Sequence, residues 1–155
     1  MDANTIDLDA RSIVTTRLLD APRELVFAVL SDASHLAHFW GPDGFSITTH
    51  SFDFRVGGAW SFVMHGPDGR DYDNRITYEE ITPPERIAFA HSGHEDTSLN
   101  FRNTITLEAA GERTRLTMRA VFASVEAREF VAREFHAVEG GQQTLGRLAA
   151  YLNTL

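Results

Sequence analysis

The alternation of apolar and polar residues is clearest from Thr114 to Phe122, where Leu116, Met118, Ala120 and Phe122 fall on one face and Arg115, Thr117 and Arg119 on the other. Such a strand has one wet and one buried side. Similar runs recur along the chain, broken by turn residues. Ser12 to Leu19, Phe45 to Phe54, Ala59 to His65, Tyr72 to Ile81, Ile87 to His91 and Leu99 to Ala109 read as strands. Gly57-Gly58, Gly66-Pro67-Asp68-Gly69, Pro83-Pro84 and Gly111 separate them and imply consecutive hairpins.

Two stretches follow a helical period instead. After Asp20-Ala21-Pro22, the residues Val26, Phe27 and Leu30 share a helix face, and Ser31-Asp32 caps a second short helix over His35 to Phe39. Beyond a cap at Ser124, Val138, Leu145, Leu148, Leu152 and Leu155 mark a C-terminal helix. Gly140-Gly141 costs that helix about 1 kcal/mol per glycine and predicts a kink, a close packing contact or a later start near Glu139.

An antiparallel sheet with one apolar face must bury it, and the C-terminal helix is the long apolar element available to cover it. The pattern therefore predicts an α+β helix-grip fold: a curved seven-stranded antiparallel sheet around a long C-terminal helix, in the order β-α-α-β6-α. The length, 155 residues, suits one domain over 1–155.

Strand parity directs Trp60, Phe62 and Met64, then Ile76 and Tyr78, then Ile87, Phe89 and His91, then Phe101, Asn103 and Ile105 toward the helix. Asn74, Tyr78, His91 and Asn103 are polar groups on that apolar face and need partners there. Apolar walls with a few convergent polar groups are the usual form of a small-molecule site. Trp40, Trp60, Phe62, Met64, Tyr78, Phe89, His91, Asn103 and Met118 are the candidate ligand-binding residues. A fully packed core is the competing account of the same residues. Trp40 in particular reads either as a gate over the cavity or as a plug between the short helices and the sheet.

Composition removes several alternatives. Fourteen basic and twenty-two acidic side chains leave a formal charge of -8, which works against a nucleic-acid or anionic-membrane partner. With no cysteine there is no disulfide, thiolate nucleophile or cysteine zinc site. The start is polar, and the apolar run Val26 to Leu30 is too short for a signal core or membrane span, so a cytoplasmic location is expected.

His35 and His38 stand three apart on the second helix, and His91-Ser92-Gly93-His94-Glu95-Asp96 gathers further donors. Neither completes a ligand set, so no metal or cofactor is assigned. Asp53 reads as a partner of Arg55 or a turn cap. His91, with an ordinary pKa of about 6.5, is the candidate general acid or base, although a core histidine explains it as simply.

The blocks Asp20-Ala21-Pro22-Arg23-Glu24-Leu25-Val26-Phe27, Phe39-Trp40-Gly41-Pro42 and Asp53-Phe54-Arg55-Val56-Gly57-Gly58-Ala59-Trp60 carry a family resemblance. Pro67-Asp68-Gly69, Glu80-Ile81-Thr82-Pro83-Pro84-Glu85-Arg86-Ile87 and Thr144-Leu145-Gly146-Arg147-Leu148 extend it. In these, from about Arg17 to Leu152, the chain resembles the START-like (SRPBCC) superfamily. Within it, the chain is similar to the C-terminal domain of the activator of the ninety-kilodalton heat-shock chaperone ATPase.

The resemblance implies a hydrophobic cavity, since members of the wider superfamily bind lipids, sterols, polyketides or plant metabolites and some are cyclases. It also implies two departures. Many relatives have two tryptophans where this chain has Phe39-Trp40, and many have a tryptophan near the start of the last helix where it has Gly140-Gly141-Gln142. The second substitution either enlarges the cavity or loosens that end.

Three functions follow. The first is a non-catalytic carrier or sensor of a small apolar ligand, favoured because no catalytic constellation is recognisable. The second is a cyclase or hydrolase using His91, Tyr78 and Asn103. The third is a chaperone-binding ATPase stimulator, which rests on the resemblance alone. A homodimer is compatible with each.

Overall fold

The computed structural model of the chain describes residues 9–93 and 97–155. Strand β1 spans Ser12–Leu19 and is followed by helices α1, Arg23–Leu30, and α2, Ala33–Leu36. Strands β2 (Ser46–Phe52), β3 (Ala59–His65), β4 (Asp71–Thr82) and β5 (Arg86–Ser92) come next. A 3-10 turn at Thr97–Leu99 leads to β6 (Phe101–Ala110) and β7 (Arg113–Phe122), then α3 (Val125–Glu134) and α4 (Ala137–Leu152). All seven strands form one sheet in the order β1-β7-β6-β5-β4-β3-β2, antiparallel throughout.

This is the helix-grip architecture that the alternating strands and the terminal leucines predict. Side-chain caps start two of the helices as expected, whereas the N-cap of α1 is Pro22 itself rather than Asp20 or Ala21. The Asp32 side chain accepts from the Ser34 backbone N–H at 2.8 Å to begin α2, and Ser124 accepts from Ala127 N–H at 3.0 Å to begin α3. The chain crosses from β1 into α1 over β7, where the Thr114 hydroxyl, fully buried, donates to the Ala21 carbonyl at 2.7 Å. Thr114→Val keeps the shape and strips the donor. It is expected to cost about 1–3 kcal/mol by leaving that carbonyl unpaired, read as a lower urea midpoint with an unchanged slope.

The C-terminal region departs from the expected single helix. The break falls at Phe135 and His136, where His136 adopts φ 52, and α4 then runs straight through Gly140 and Gly141. Two docking surfaces cause the break: α3 buries Ala127 and Val131 against β7 and the Thr97–Leu99 turn, whereas α4 lies on β1. The glycines serve close approach. A Cβ on Gly140 would lie 3.3 Å from Pro42 Cγ, and one on Gly141 would lie 2.9 Å from Thr15 Oγ1. Leu99, expected to begin β6, instead belongs to the 3-10 turn and is buried.

Burial divides the interior in two. The larger cluster joins Trp60, Phe62, Ile76, Tyr78, Ile87 and Phe89 to α1, α2 and the Leu145, Leu148 and Leu152 face of α4. The smaller gathers Ile13, Leu99, Phe122, Ala127 and Val131 under α3. The second cluster holds few large side chains, and a space lies beside it.

Candidate ligand pocket

The aromatic end of the sheet is closed by its own rings. Trp60 stacks on Phe62 with centroids 4.0 Å apart, and Trp40 meets Trp60 edge-on at 5.6 Å and Phe89 at 6.3 Å. Tyr78 meets Phe89 at 6.2 Å. The void that Trp40, Trp60, Tyr78 and Phe89 help to enclose is about 10 Å³, on the scale of one water. Trp40 thus sits as a plug against the core. Phe62 is buried beneath Trp60, so enlarging it would overpack the core, not fill a cavity. Met64 lies against the loop after α2: Gly41, at φ 110, could take a Cβ only 2.9 Å from Met64 Cε.

A larger space, about 120 Å³, lies between β1, β7 and β6 and the junction of α3 with α4. Its floor consists of cross-strand rows. Ile13 pairs with Ala120 and Ala120 with Asn103, Thr15 pairs with Met118, and Phe101 pairs with Phe122. Val131, Ala137 and Gly141 close it from above. The origin is a size gradient along one helix face. At helical spacing, α4 presents Ala137 and Gly141 first and Leu145, Leu148 and Leu152 afterwards, so bulk fills the sheet at one end and leaves room over Ala120 at the other.

Of the nine candidate residues, the structure brings Asn103 and Met118 to this pocket. His91 stands one ring back, stacked on the pocket residue Phe101 with centroids 4.6 Å apart and planes 11° from parallel. Trp40, Trp60, Phe62, Met64, Tyr78 and Phe89 occupy the closed end. Those on strands lie on the faces that parity assigns, yet parity is silent about position along the strand, and the pocket lies toward the other edge of the sheet. Thr15, Ala137 and Gly141 escape sequence reasoning because small residues signal nothing individually. The glycine pair replacing a family tryptophan was the available sign.

The pocket is apolar except at Thr15 and Asn103. Asn103 is 6% exposed, and its Oδ1 is buried without a hydrogen-bond partner within the protein. Asn74 donates through Nδ2 to the Tyr72 carbonyl at 2.9 Å. Burial pushes the Tyr78 hydroxyl above its ordinary pKa and keeps it neutral.

The remaining candidate chemistry resolves into packing and surface pairs. His35 and His38 bracket the Tyr151 ring of α4: His35 Nδ1 hydrogen-bonds its hydroxyl at 2.5 Å and His38 stacks on it at 4.9 Å. Asp53 accepts from Arg55 Nε at 2.7 Å on the surface. His94, Glu95 and Asp96 lie outside the described residues. No group of three or more potential metal ligands assembles among the described residues. Thr48 Oγ1, His65 and Asp71 form a chain of two 2.7 Å hydrogen bonds across β2, β3 and β4. It lies on exposed side chains apart from the pocket and reads as a cross-strand ladder.

Arg147 on α4 donates through Nη1 to the Gly41 and Pro42 carbonyls at 2.9 and 3.0 Å, joining two of the sequence blocks noted above. That contact is a fold contact, and it explains why such blocks specify architecture more than activity. The family described as "Activator of Hsp90 ATPase homolog 1-like protein" matches residues 20–153. No curated protein matches the sequence.

Among solved structures, a solution NMR structure of a protein from Arthrobacter aurescens is 28% identical, covering 96% of this chain and 90% of that one, with a TM-score of 0.88. A crystal structure of a Mycobacterium smegmatis protein is 26% identical, covering 96% and 94%, with a TM-score of 0.84. A protein from the dynemicin biosynthetic locus is similar in fold, at 23% identity and a TM-score of 0.68, with 93% of this chain spanning 48% of that one. No helix among the described residues is long and apolar enough to cross a membrane.

Proposed function

The chain belongs to the family of activator of Hsp90 ATPase homolog 1-like proteins, whose START-like fold suits ligand-binding or cyclase-like roles, and we propose that this member binds a small, largely apolar molecule. The observation that carries the reading is the 120 Å³ apolar pocket beneath the α3–α4 junction. Binding is favoured over turnover by the residues around it. The polar side chains on the wall are Thr15 and Asn103, neither of which exchanges a proton near neutral pH, and His91 is separated from the space by Phe101.

Single-ring apolar compounds titrated into the full chain should shift the Met118 methyl resonance saturably. Met118→Trp, by occupying the space, should weaken that binding on the order of tenfold or more while the circular dichroism spectrum is retained. Absence of any saturable shift with the parent protein would overturn the reading.

A further inference from the structure

The cover of the pocket is held unevenly. Val131 comes from α3, whereas Gly141 comes from α4, which packs into the larger core through Leu145, Leu148 and Leu152. We propose that α3 is a lid: it detaches from the sheet as a unit while α4 stays docked, and this opening is the way into and out of the pocket. The opening is a property of the free protein. Its role in admission rests on the binding reading above.

The first support is how little holds α3 down. The buried residues of this ten-residue helix are an alanine and a valine, Ala127 and Val131. Its larger apolar side chains do little for docking: Phe130 is exposed, as is Phe135 just beyond the helix, and the two rings meet edge-on with centroids 5.9 Å apart. Apolar area removed from water is what keeps a helix on a sheet. A helix that buries an alanine and a valine therefore separates at a lower free energy than one that buries three leucines.

The two ends of α3 differ as a lid requires. At the corner out of β7, Arg11 Nη1 donates to the Phe122 and Ala123 carbonyls at 3.3 and 3.4 Å, and Ser124 caps the helix, so this end is fastened. The other end leaves through His136 at φ 52, a left-handed conformation that an L side chain adopts at a cost. Lifting that end lets His136 return to the right-handed region. A polar clasp opposes the motion: Arg128, with a side chain 26% exposed, donates through Nε to the Ser12 carbonyl of β1 at 3.2 Å. When the clasp parts and α3 swings about its fastened corner, Val131 leaves the pocket and the floor at Phe101 and Phe122 is uncovered.

The test is amide hydrogen exchange of the full-length protein, read residue by residue by NMR. In the free protein, the amides of Glu129 to Phe135 should exchange together, about a hundredfold or more faster than those of Leu145 to Leu152. Equal protection in the two helices overturns the lid, because they then open only with the whole fold. Fast exchange confined to the last turn, with Val131 as slow as α4, is fraying and overturns it too. Arg128→Met keeps the aliphatic stem and removes the donor, and it should speed exchange across Glu129 to Phe135 about tenfold while leaving α4 unchanged. An equal acceleration in α4 overturns the separate opening of α3. For admission, the same variant should raise the association and dissociation rates of toluene by a common factor and keep the dissociation constant within about twofold. Unchanged rates overturn the gating role. If toluene does not bind saturably, the gating role falls with the binding reading, while the exchange pattern of the free parent still decides whether α3 opens. That pattern also decides the matter if the variant does not fold.

Discussion

Trp60→Ala is expected to lower the unfolding free energy by about 3–5 kcal/mol, the range for truncating a large buried aromatic side chain. Trp60 is 1% exposed, stacked on Phe62 and contacted edge-on by Trp40 and by Phe52, whose ring centroid is 6.0 Å away. Its indole N–H also donates to Thr49 Oγ1 at 3.1 Å, so the substitution removes a hydrogen bond together with the ring. The rings that contact it come from β2, β3 and the chain after α2, and β3, hydrogen-bonded to β2 on one side and β4 on the other, cannot move in to close the gap. Urea unfolding reads the effect. A loss under about 1 kcal/mol would mean that this end of the core collapses around the missing ring. Because the 120 Å³ pocket lies elsewhere, the folded fraction of this variant should still bind a single-ring compound, which separates core packing from ligand binding.

Leu148→Ala should cost about 2–5 kcal/mol by the same cavity reasoning. Leu148 is 1% exposed and lies midway along the buried face of α4, between Leu145 and Leu152. Alanine is the best helix former, so α4 keeps its helical preference and the loss reports packing alone. Denaturation curves that overlay the parent would show that α4 does not hold the sheet through this face. Both variants act on the larger cluster, where bulk meets bulk, so their effects exceed the cost expected for Thr114→Val.

Much of the architecture is legible in the residue pattern because it rests on local periodicity. The limits of β1 and β3 coincide with the alternating runs Ser12 to Leu19 and Ala59 to His65, and Leu116 and Phe122 are buried as the alternation of β7 requires. Caps at Asp32 and Ser124 lie where their side-chain chemistry suggests. The break at His136 is not legible, since nothing local forbids helix there. It arises because α3 and α4 dock on different parts of the molecule, and a contact between distant segments has no local signature.

The pocket shows the same division. Period-two alternation determined that Asn103 and Met118 face inward together with Trp60, Phe62, Tyr78 and Phe89, and helical spacing determined which face of α4 meets them. Which part of that shared face is filled and which is open was decided only by tertiary structure. Rings from β2, β3, β5 and the chain after α2 interlock at one end, while Ala120, Ala137 and Gly141, far apart in sequence, meet at the other. An alternating pattern specifies a direction for each side chain. The volume left between side chains depends on the sum of sizes across elements that come together only in the folded state.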